Sequence, residues 1–415
     1  MAPASRSGDA HTSTPGGRLR ARGLGLPFAE QPGQPGPANA ITDVPDVQVG
    51  YTTLVSGAGP LQVGVGPVRT GVTAILPRGR DGIGTPCAAG WYALNGNGEM
   101  TGTTWIEETG SLALPVLITN THAVGACHRG VIDWVVRHAP GMSRQWLLPV
   151  VAETWDGYLN DVNGSHVQPE HAVAAIDAAV GGPVEEGSVG GGTGMTCYGF
   201  KGGSGTASRL VPYGAYVHTV GAFVQANFGA RRQLTVAGVH VGPELAQDNP
   251  MEEGDWLAAP GAGSGSAPDG AGSAAPGAGS VIVVIGTDAP LLPGQCKALA
   301  RRVPLGLART GTTGSHFSGD IFLAFSTGNV GALTSGFPVG SPGADADAYE
   351  TLRFVPWGRL DAFCAAVVGA VEEAVLNALV ANETMIGRDG HRAPALRHER
   401  LCELLYDRGV VGPHS

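Results

Sequence analysis

Lysine is nearly missing from this chain: Lys201 and Lys297 are the only two in 415 residues, and every other basic side chain is arginine. Lysine-based catalysis therefore has two candidates at most. Charged residues of both signs make up only 14% of the chain, and the net charge is −10. No Lys/Arg-rich run offsets that acidity, which argues against nucleic acid as a partner. No uninterrupted apolar stretch reaches the roughly 18 residues of a bilayer span, so no membrane association is expected. The opening segment MAPASRSGDAHTSTPGGRLR has no apolar core and does not read as a signal peptide, which makes the cytoplasm the expected location.

Familiar catalytic motifs are missing too. The chain contains no G-x-x-x-x-G-K-[ST], no G-x-S-x-G and no H-E-x-x-H, which disfavours a P-loop, an α/β-hydrolase elbow and a zinc protease in turn. Its six cysteines (Cys87, Cys127, Cys197, Cys296, Cys364 and Cys402) include no C-x-x-C pair. That scatter fits free thiols in a reducing compartment better than a disulfide framework or a zinc site.

What is abundant is glycine, 67 residues, against an apolar content of 43% that provides for a large core. Residues 258–279 read AAPGAGSGSAPDGAGSAAPGAG, a tract too poor in apolar surface to offset its ordering entropy, and disorder is expected there. The next residue, Ser280, opens SVIVVIGTD, whose five consecutive Val and Ile residues fit a strand buried on both faces. A serine at the head of a core strand, behind slack chain, suits a self-cleaving hydrolase. Cleavage before Ser280 would free an α-amine with a pKa of about 7.7–8.0, suited to a general base. Locally, an interdomain linker followed by an ordinary strand fits the same residues.

The folded part is expected to begin near Ala40, after a largely disordered arm over 1–39. Short apolar runs at 71–76, 112–118 and 145–151 read as strands, and 169–180 as a helix. The segments 213–225, 233–241 and 318–326 read as further strands. Helices are expected at 293–302 and 359–381, the latter carrying one continuous apolar stripe. His391 and His398 fall in a polar tail. The glycine cluster at 190–205 suits a backbone-approach loop or a structural hairpin. Because the Ser280 strand is apolar at every position, it belongs in the middle of a stack. Residues 40–257 and 280–415 are therefore two parts of one domain, joined by the linker 258–279. Ser318 and Asp320 share one strand face and are expected to point together at Ser280.

Several segments together carry a family resemblance: ITDVPDVQVGYTT, LNGNGEMTGTTWIEETG, ITNTHAVG, VVAETWDGYLND, GGGTGM, VQANFGARRQLTVAGV, GSVIVVIGTDAPLLPGQ and SGDIFLAFST. From about Arg22 to Val411 the chain resembles the L-aminopeptidase/D-esterase family, the DmpA-type β-peptidyl aminopeptidases. The resemblance implies an α+β fold, a four-layer αββα sandwich like that of N-terminal-nucleophile hydrolases but with different connectivity. It implies self-cleavage at Gly279-Ser280 into α and β chains that stay associated, within a higher homo-oligomer.

Carried over by position, Ser280 is the nucleophile and Ser318 and Asp320 support it. Asn227 helps to stabilise the oxyanion, and Glu153 binds the substrate's free amino group. Trp155 stands where a relative carries a tyrosine whose hydroxyl contacts the oxyanion; an indole N–H donates from a different position. The implied activity is an aminopeptidase acting on short peptides, amino-acid amides or esters, including D- or β-amino acids, with no metal or organic cofactor. The base is either the Ser280 α-amine or the Ser318–Asp320 pair. Rival readings are an amidase for ω-amino-acid oligomers, an acyltransferase of the ornithine acetyltransferase type, and an uncleaved binding protein. The first two use threonine nucleophiles, which Ser280 disfavours; loss of Ser280, Ser318 or Asn227 would have favoured the third.

Overall fold

The computed structural model describes residues 9–28, 33–253, 277–334 and 349–412. Its strands sort into two sheets. β1 (Gln48–Ser56), β2 (Val68–Leu76), β5 (Val116–Asn120) and β6 (Val150–Thr154) form the first, in that order. The second runs β4-β3-β14-β13-β10-β9 and contains β3 (Cys87–Ala93), β4 (Ser111–Leu112), β9 (Gly203–Tyr213), β10 (Tyr216–Asn227), β13 (Gly279–Thr287) and β14 (Ser318–Ser326). Short hairpins decorate this frame: β7–β8 (Thr196–Cys197, Phe200–Lys201), β11–β12 (Thr235–Val236, Val239–His240) and β15–β16 (Met385–Ile386, Arg392–Ala393).

Helices α2 (Val124–His138) and α3 (Pro169–Asp177) cover the outer face of the four-stranded sheet. The six-stranded sheet is covered by α5 (Pro293–Ala300), α6 (Val303–Arg309), α7 (Asp361–Val380) and α8 (His398–Asp407). Helices α1 (Thr103–Thr109) and α4 (Pro250–Glu253) are short. The layers are therefore helix, sheet, sheet, helix, the expected αββα sandwich.

Strand β13 shows how the sequence selects its place. Ile282 and Val284 point between the sheets, where they meet Ile75, Ile118 and Ala152. Val281, Val283 and Ile285 point the other way, onto the layer that contains Leu299, Phe363 and Val371. All five are 0% exposed. At about 1.5–3 kcal/mol for each fully buried Val or Ile, the strand is firmly anchored, and so is the serine at its head. Helix α7 is long and apolar enough to cross a bilayer, yet 83% of its most apolar window is buried inside the fold, as befits a core helix.

The arm over 1–39 is a correction. Within it, residues 9–28 and 33–39 have defined positions and are tied to the core by polar contacts. Arg20, 3% exposed, pairs with the fully buried Glu186 at 2.7 Å, Arg22 pairs with Glu373 of α7, and the Ala21 N–H donates to Asn377. Composition predicts order through apolar burial, and here buried ion pairs and hydrogen bonds add to the burial of only a few apolar residues, Ala21, Leu24 and Leu26 among them. Residues 258–276 of the expected linker lie outside the described residues.

Other boundaries moved. The expected strand over 145–151 is only β6, and 233–241 folds as the β11–β12 hairpin. Helix α2 went unread, although Cys127, Val131, Trp134 and Val135 give it a buried face at helical spacing. The supposed polar tail contains α8, whose Leu401, Cys402, Leu404 and Leu405 pack on the core. The glycine cluster is structural: a Cβ on Gly205 would lie 2.0 Å from the Ala374 carbonyl of α7, so only glycine lets strand and helix approach this closely.

Candidate active site

The register of the six-stranded sheet brings two of the expected residues face to face. β10 and β13 are antiparallel neighbours, and Asn227 is directly opposite Ser280. Side chains alternate along a strand, so Ser280 follows Ile282 and Asn227 follows Phe223 to the inter-sheet side. There both meet the end of β6, where Trp155 follows Thr154. The Trp155 N–H donates to Ser280 Oγ at 3.1 Å, and Asn227 Nδ2 donates to the Trp155 carbonyl at 2.8 Å. The Trp155 backbone thus bridges the two residues, while its indole packs beside Tyr158 and Leu159. Ser280 is 2% and Asn227 4% exposed.

Ser318 and Asp320 reach a different part of the serine. β14 runs parallel to β13, with Ser318 beside Gly279, Gly319 beside Ser280 and Asp320 beside Val281. Alternation sends Ser318 and Asp320 to the helical face with Phe322, opposite the face that holds Ser280 Oγ. Ser318 Oγ donates to Asp320 Oδ1 at 2.5 Å, and the Asn95 amide donates to Oδ2 at 2.9 Å. Burial raises the Asp320 pKa, and donation from Ser318, Asn95 and the Val281 N–H opposes the rise. The pair therefore faces the backbone one residue beyond the Ser280 nitrogen. The pair is expected to point at Ser280 and lies beside its backbone; the hydrogen bond of Ser280 Oγ comes from the Trp155 N–H.

Glu153 lies two residues before Trp155 and is 3% exposed. Thr121 Oγ1 donates to its Oε2 at 2.5 Å and the Glu99 N–H to its Oε1 at 3.0 Å. Burial raises its pKa, and these two donors hold the rise back. A Cβ placed on Gly98 would lie 2.8 Å from the Gly319 Cα and 3.4 Å from Glu153 Oε1, so Gly98 lies close to both the carboxylate and the residue beside Ser280.

Several residues of this constellation escaped the sequence reading. Asn95 clamps Asp320 twice, donating to its carboxylate and accepting from its N–H at 2.7 Å. Thr121 holds Glu153, and Thr196 donates through its N–H to Asn227 Oδ1 at 2.9 Å. Asp156, next to Trp155, is 1% exposed, and burial pushes its carboxyl up to about 7. Burial also pushes the Lys201 ammonium down to about 7. The available signal was position: Asn95 and Thr121 sit in LNGNGEM and ITNTHAVG, segments that carried the resemblance without an assigned role. Among the described residues no group of three or more His, Cys, Asp or Glu is placed to hold a metal ion.

The surrounding chain has relatives. Residues 39–393 match Peptidase family S58. A beta-peptidyl aminopeptidase, BapA, of Sphingosinicella microcystinivorans is 50% identical over 388 residues, covering 93% of this chain and 91% of the relative. The solved L-aminopeptidase D-Ala-esterase/amidase of Ochrobactrum anthropi, described as a prototype serine aminopeptidase with a variant Ntn-hydrolase fold, superposes with a TM-score of 0.82 at 43% identity. That match covers 95% of this chain and 99% of the other. The Burkholderia sp. beta-aminopeptidase gives a TM-score of 0.79 at 42% identity, over 96% of this chain and all of that one.

Proposed function

This chain belongs to peptidase family S58 and is an aminopeptidase, and from that premise we propose that it matures by cutting its own Gly279-Ser280 bond. The mature enzyme then releases N-terminal residues, β-amino acids among them, from short peptides, amides and esters. The clasp of the Trp155 backbone between Ser280 and Asn227, two residues from the buried Glu153, is the observation that carries this reading.

In maturation, Ser280 Oγ attacks the Gly279 carbonyl carbon and loses its proton. The Gly279–Ser280 C–N bond breaks, and the departing nitrogen gains a proton to become the Ser280 α-amine. Water then cleaves the resulting ester, leaving a carboxylate on Gly279 and restoring the hydroxyl. On an external substrate the same oxygen attacks the acyl carbon, the amine or alcohol leaves with a proton, and water releases the acid.

Of the two candidate bases, the α-amine is favoured by geometry. Ser318 and Asp320 stand on the face opposite Ser280 Oγ, beside the backbone next to the nitrogen that cleavage frees. Their role in this reading is to hold that amine near Oγ. Its ordinary pKa of about 7.7–8.0 lets it take a proton at neutral pH. Asn227 Nδ2 keeps a second N–H for the oxyanion and the Trp155 N–H supplies another; one such donor is worth about 3 kcal/mol in comparable sites. Glu153 receives the substrate ammonium, which restricts cleavage to chain ends.

Acceptance of β-amino acids is supported by the names of relatives at 50% and 44% identity. A panel of β-, L- and D-aminoacyl amides tests it: turnover of the L-series alone would remove β-amino acids from the proposal. The reading includes a cytoplasmic location, with which six free, buried cysteines agree. It also includes self-association of αβ pairs, for which the exposed Trp105, Trp146 and Leu148 around one groove offer apolar surface. A denaturing gel and size-exclusion chromatography test these points: fragments 1–279 and 280–415 should separate on the first and co-migrate on the second.

A further inference from the structure

Lys201 is 0% exposed and makes no ion pair among the described residues. Taking an ammonium out of water without a counter-charge is costly, and carbonyl oxygens offset the cost only if they use its donors fully. They do so here. Nζ donates to the carbonyls of Gly202 at 2.7 Å, Met195 at 2.8 Å and Gly192 at 3.4 Å. Three donors meet three acceptors, and only the protonated amine carries three.

One of those acceptors leads into the active site. The Met195 carbonyl and the Thr196 N–H belong to a single peptide group, whose oxygen takes the Lys201 ammonium and whose N–H donates to Asn227 Oδ1 at 2.9 Å. Positive charge on the oxygen side draws electron density from the nitrogen, so the N–H donates more strongly. Asn227 Oδ1 is then held and polarised, which fixes the plane of its amide and makes Nδ2 a better donor. The Gly202 N–H adds a second bond to the same carbonyl at 2.9 Å. The cation therefore grips the far side of the peptide that holds Asn227 Oδ1, while the Trp155 carbonyl holds Nδ2.

We propose that Lys201 is a positioning residue for catalysis, acting through the Met195–Thr196 peptide to aim and strengthen the Asn227 amide at the oxyanion. The proposal rests on the oxyanion role given to Asn227 above. It accounts for a buried cation that the mechanism otherwise leaves idle.

A double-mutant cycle on the mature enzyme tests it, with kcat and KM measured for an unblocked aminoacyl amide. Lys201→Met should lower kcat by about tenfold and leave KM within about twofold. Asn227→Ala should lower kcat by roughly a hundredfold. The double variant should be no slower than Asn227→Ala alone, because the lysine then has nothing to aim. Fully multiplying losses would overturn the proposal and leave the Asn227 assignment standing. An Asn227→Ala enzyme with unchanged kcat removes the oxyanion assignment first, and the lysine's role with it. Should Lys201→Met fail to fold, Lys201→Gln keeps an N–H donor for the Met195 carbonyl and should have an intermediate kcat. Reduced thermal stability with normal kcat in the folded enzyme marks a purely structural lysine and defeats the proposal. If a variant folds but matures slowly, the rate of Gly279-Ser280 cleavage on a denaturing gel supplies the same cycle.

Discussion

Ser280 and Asn227 stand opposite each other on β13 and β10, and the backbone of Trp155 joins them, its N–H on Ser280 Oγ and its carbonyl on Asn227 Nδ2. This bridge connects the two sheets at one point, since Trp155 continues β6 of the first sheet while both partners belong to the second. It also places the Trp155 N–H on the atom assigned as nucleophile.

Replacing that atom is the first test. Ser280→Ala should abolish both chain cleavage and aminopeptidase activity, because one hydroxyl serves both reactions. The strand behind it is held by five fully buried aliphatic side chains, so the variant should fold as an intact 415-residue precursor. A cleaved Ser280→Ala protein on a denaturing gel would disprove the assignment.

Gly279 should be required for maturation on steric grounds. A Cβ there would lie 2.1 Å from the Asn227 carbonyl oxygen, a backbone atom that cannot swing aside. Gly279→Ala should therefore displace the start of β13 and slow cleavage by at least about tenfold, while the unfolding midpoint changes little. Cleavage at the wild-type rate would show that the carbonyl to be attacked sits elsewhere.

Glu153 should govern substrate recognition and not maturation, since only an external substrate brings an N-terminal ammonium. Glu153→Gln removes the charge but keeps the shape, at a cost of about 1.5–3 kcal/mol for a charge-assisted hydrogen bond. The expected result is normal processing with kcat/KM for free aminoacyl amides down roughly ten- to a hundredfold. Because the folded-state pKa is raised, the carboxylate is lost at a higher pH than an exposed glutamate would allow. KM should accordingly rise early on acidification. Equal turnover of N-acetylated and free substrates by the wild type would refute the role.

Asp156 should make stability depend on pH. Its carboxyl is raised to about 7, first by burial and then by Glu153, against hydrogen bonds from Thr70 and Asn160. A raised carboxyl favours the folded state in its neutral form. Its contribution is complete below the unfolded pKa of about 3.9 and disappears as pH rises through about 7. Asp156→Asn carries no such charge, so between about pH 5 and 8 its unfolding midpoint should fall less than that of the wild type. Parallel midpoint curves would mean that Asp156 does not titrate in this range.

Much of this was legible in the sequence because it is local. The VIVVI run requires a strand buried on both faces, and β13 has Val281 and Ile282 in different cores. The 318–326 strand follows from its continuous apolar run IFLAF, and the long helix near 361–380 from its apolar stripe at helical spacing. Ser280, Asn227 and Glu153 each sit in a segment that carries the family resemblance, and the fold brings all three to one end of the sheets. Elements whose pattern is diluted were lost: Gly125 and Gly130 interrupt α2, and charged residues alternate with the apolar ones in the short α8.

Tertiary structure alone decided the rest, because it depends on register and on which face meets which. Only the parallel pairing of β14 with β13 shows that Ser318 and Asp320 face away from the serine hydroxyl. The Trp155 backbone contact joins residues 125 positions apart, and Asn95 reaches Asp320 across 225. Arg20 helps to anchor an arm of disorder-like composition through Glu186, 166 residues away. In each case the donor is a backbone N–H or a polar side chain, whose partner is chosen by distance and direction. Apolar periodicity specifies a face, while a hydrogen bond specifies a single atom, and only the packed chain brings that atom within reach.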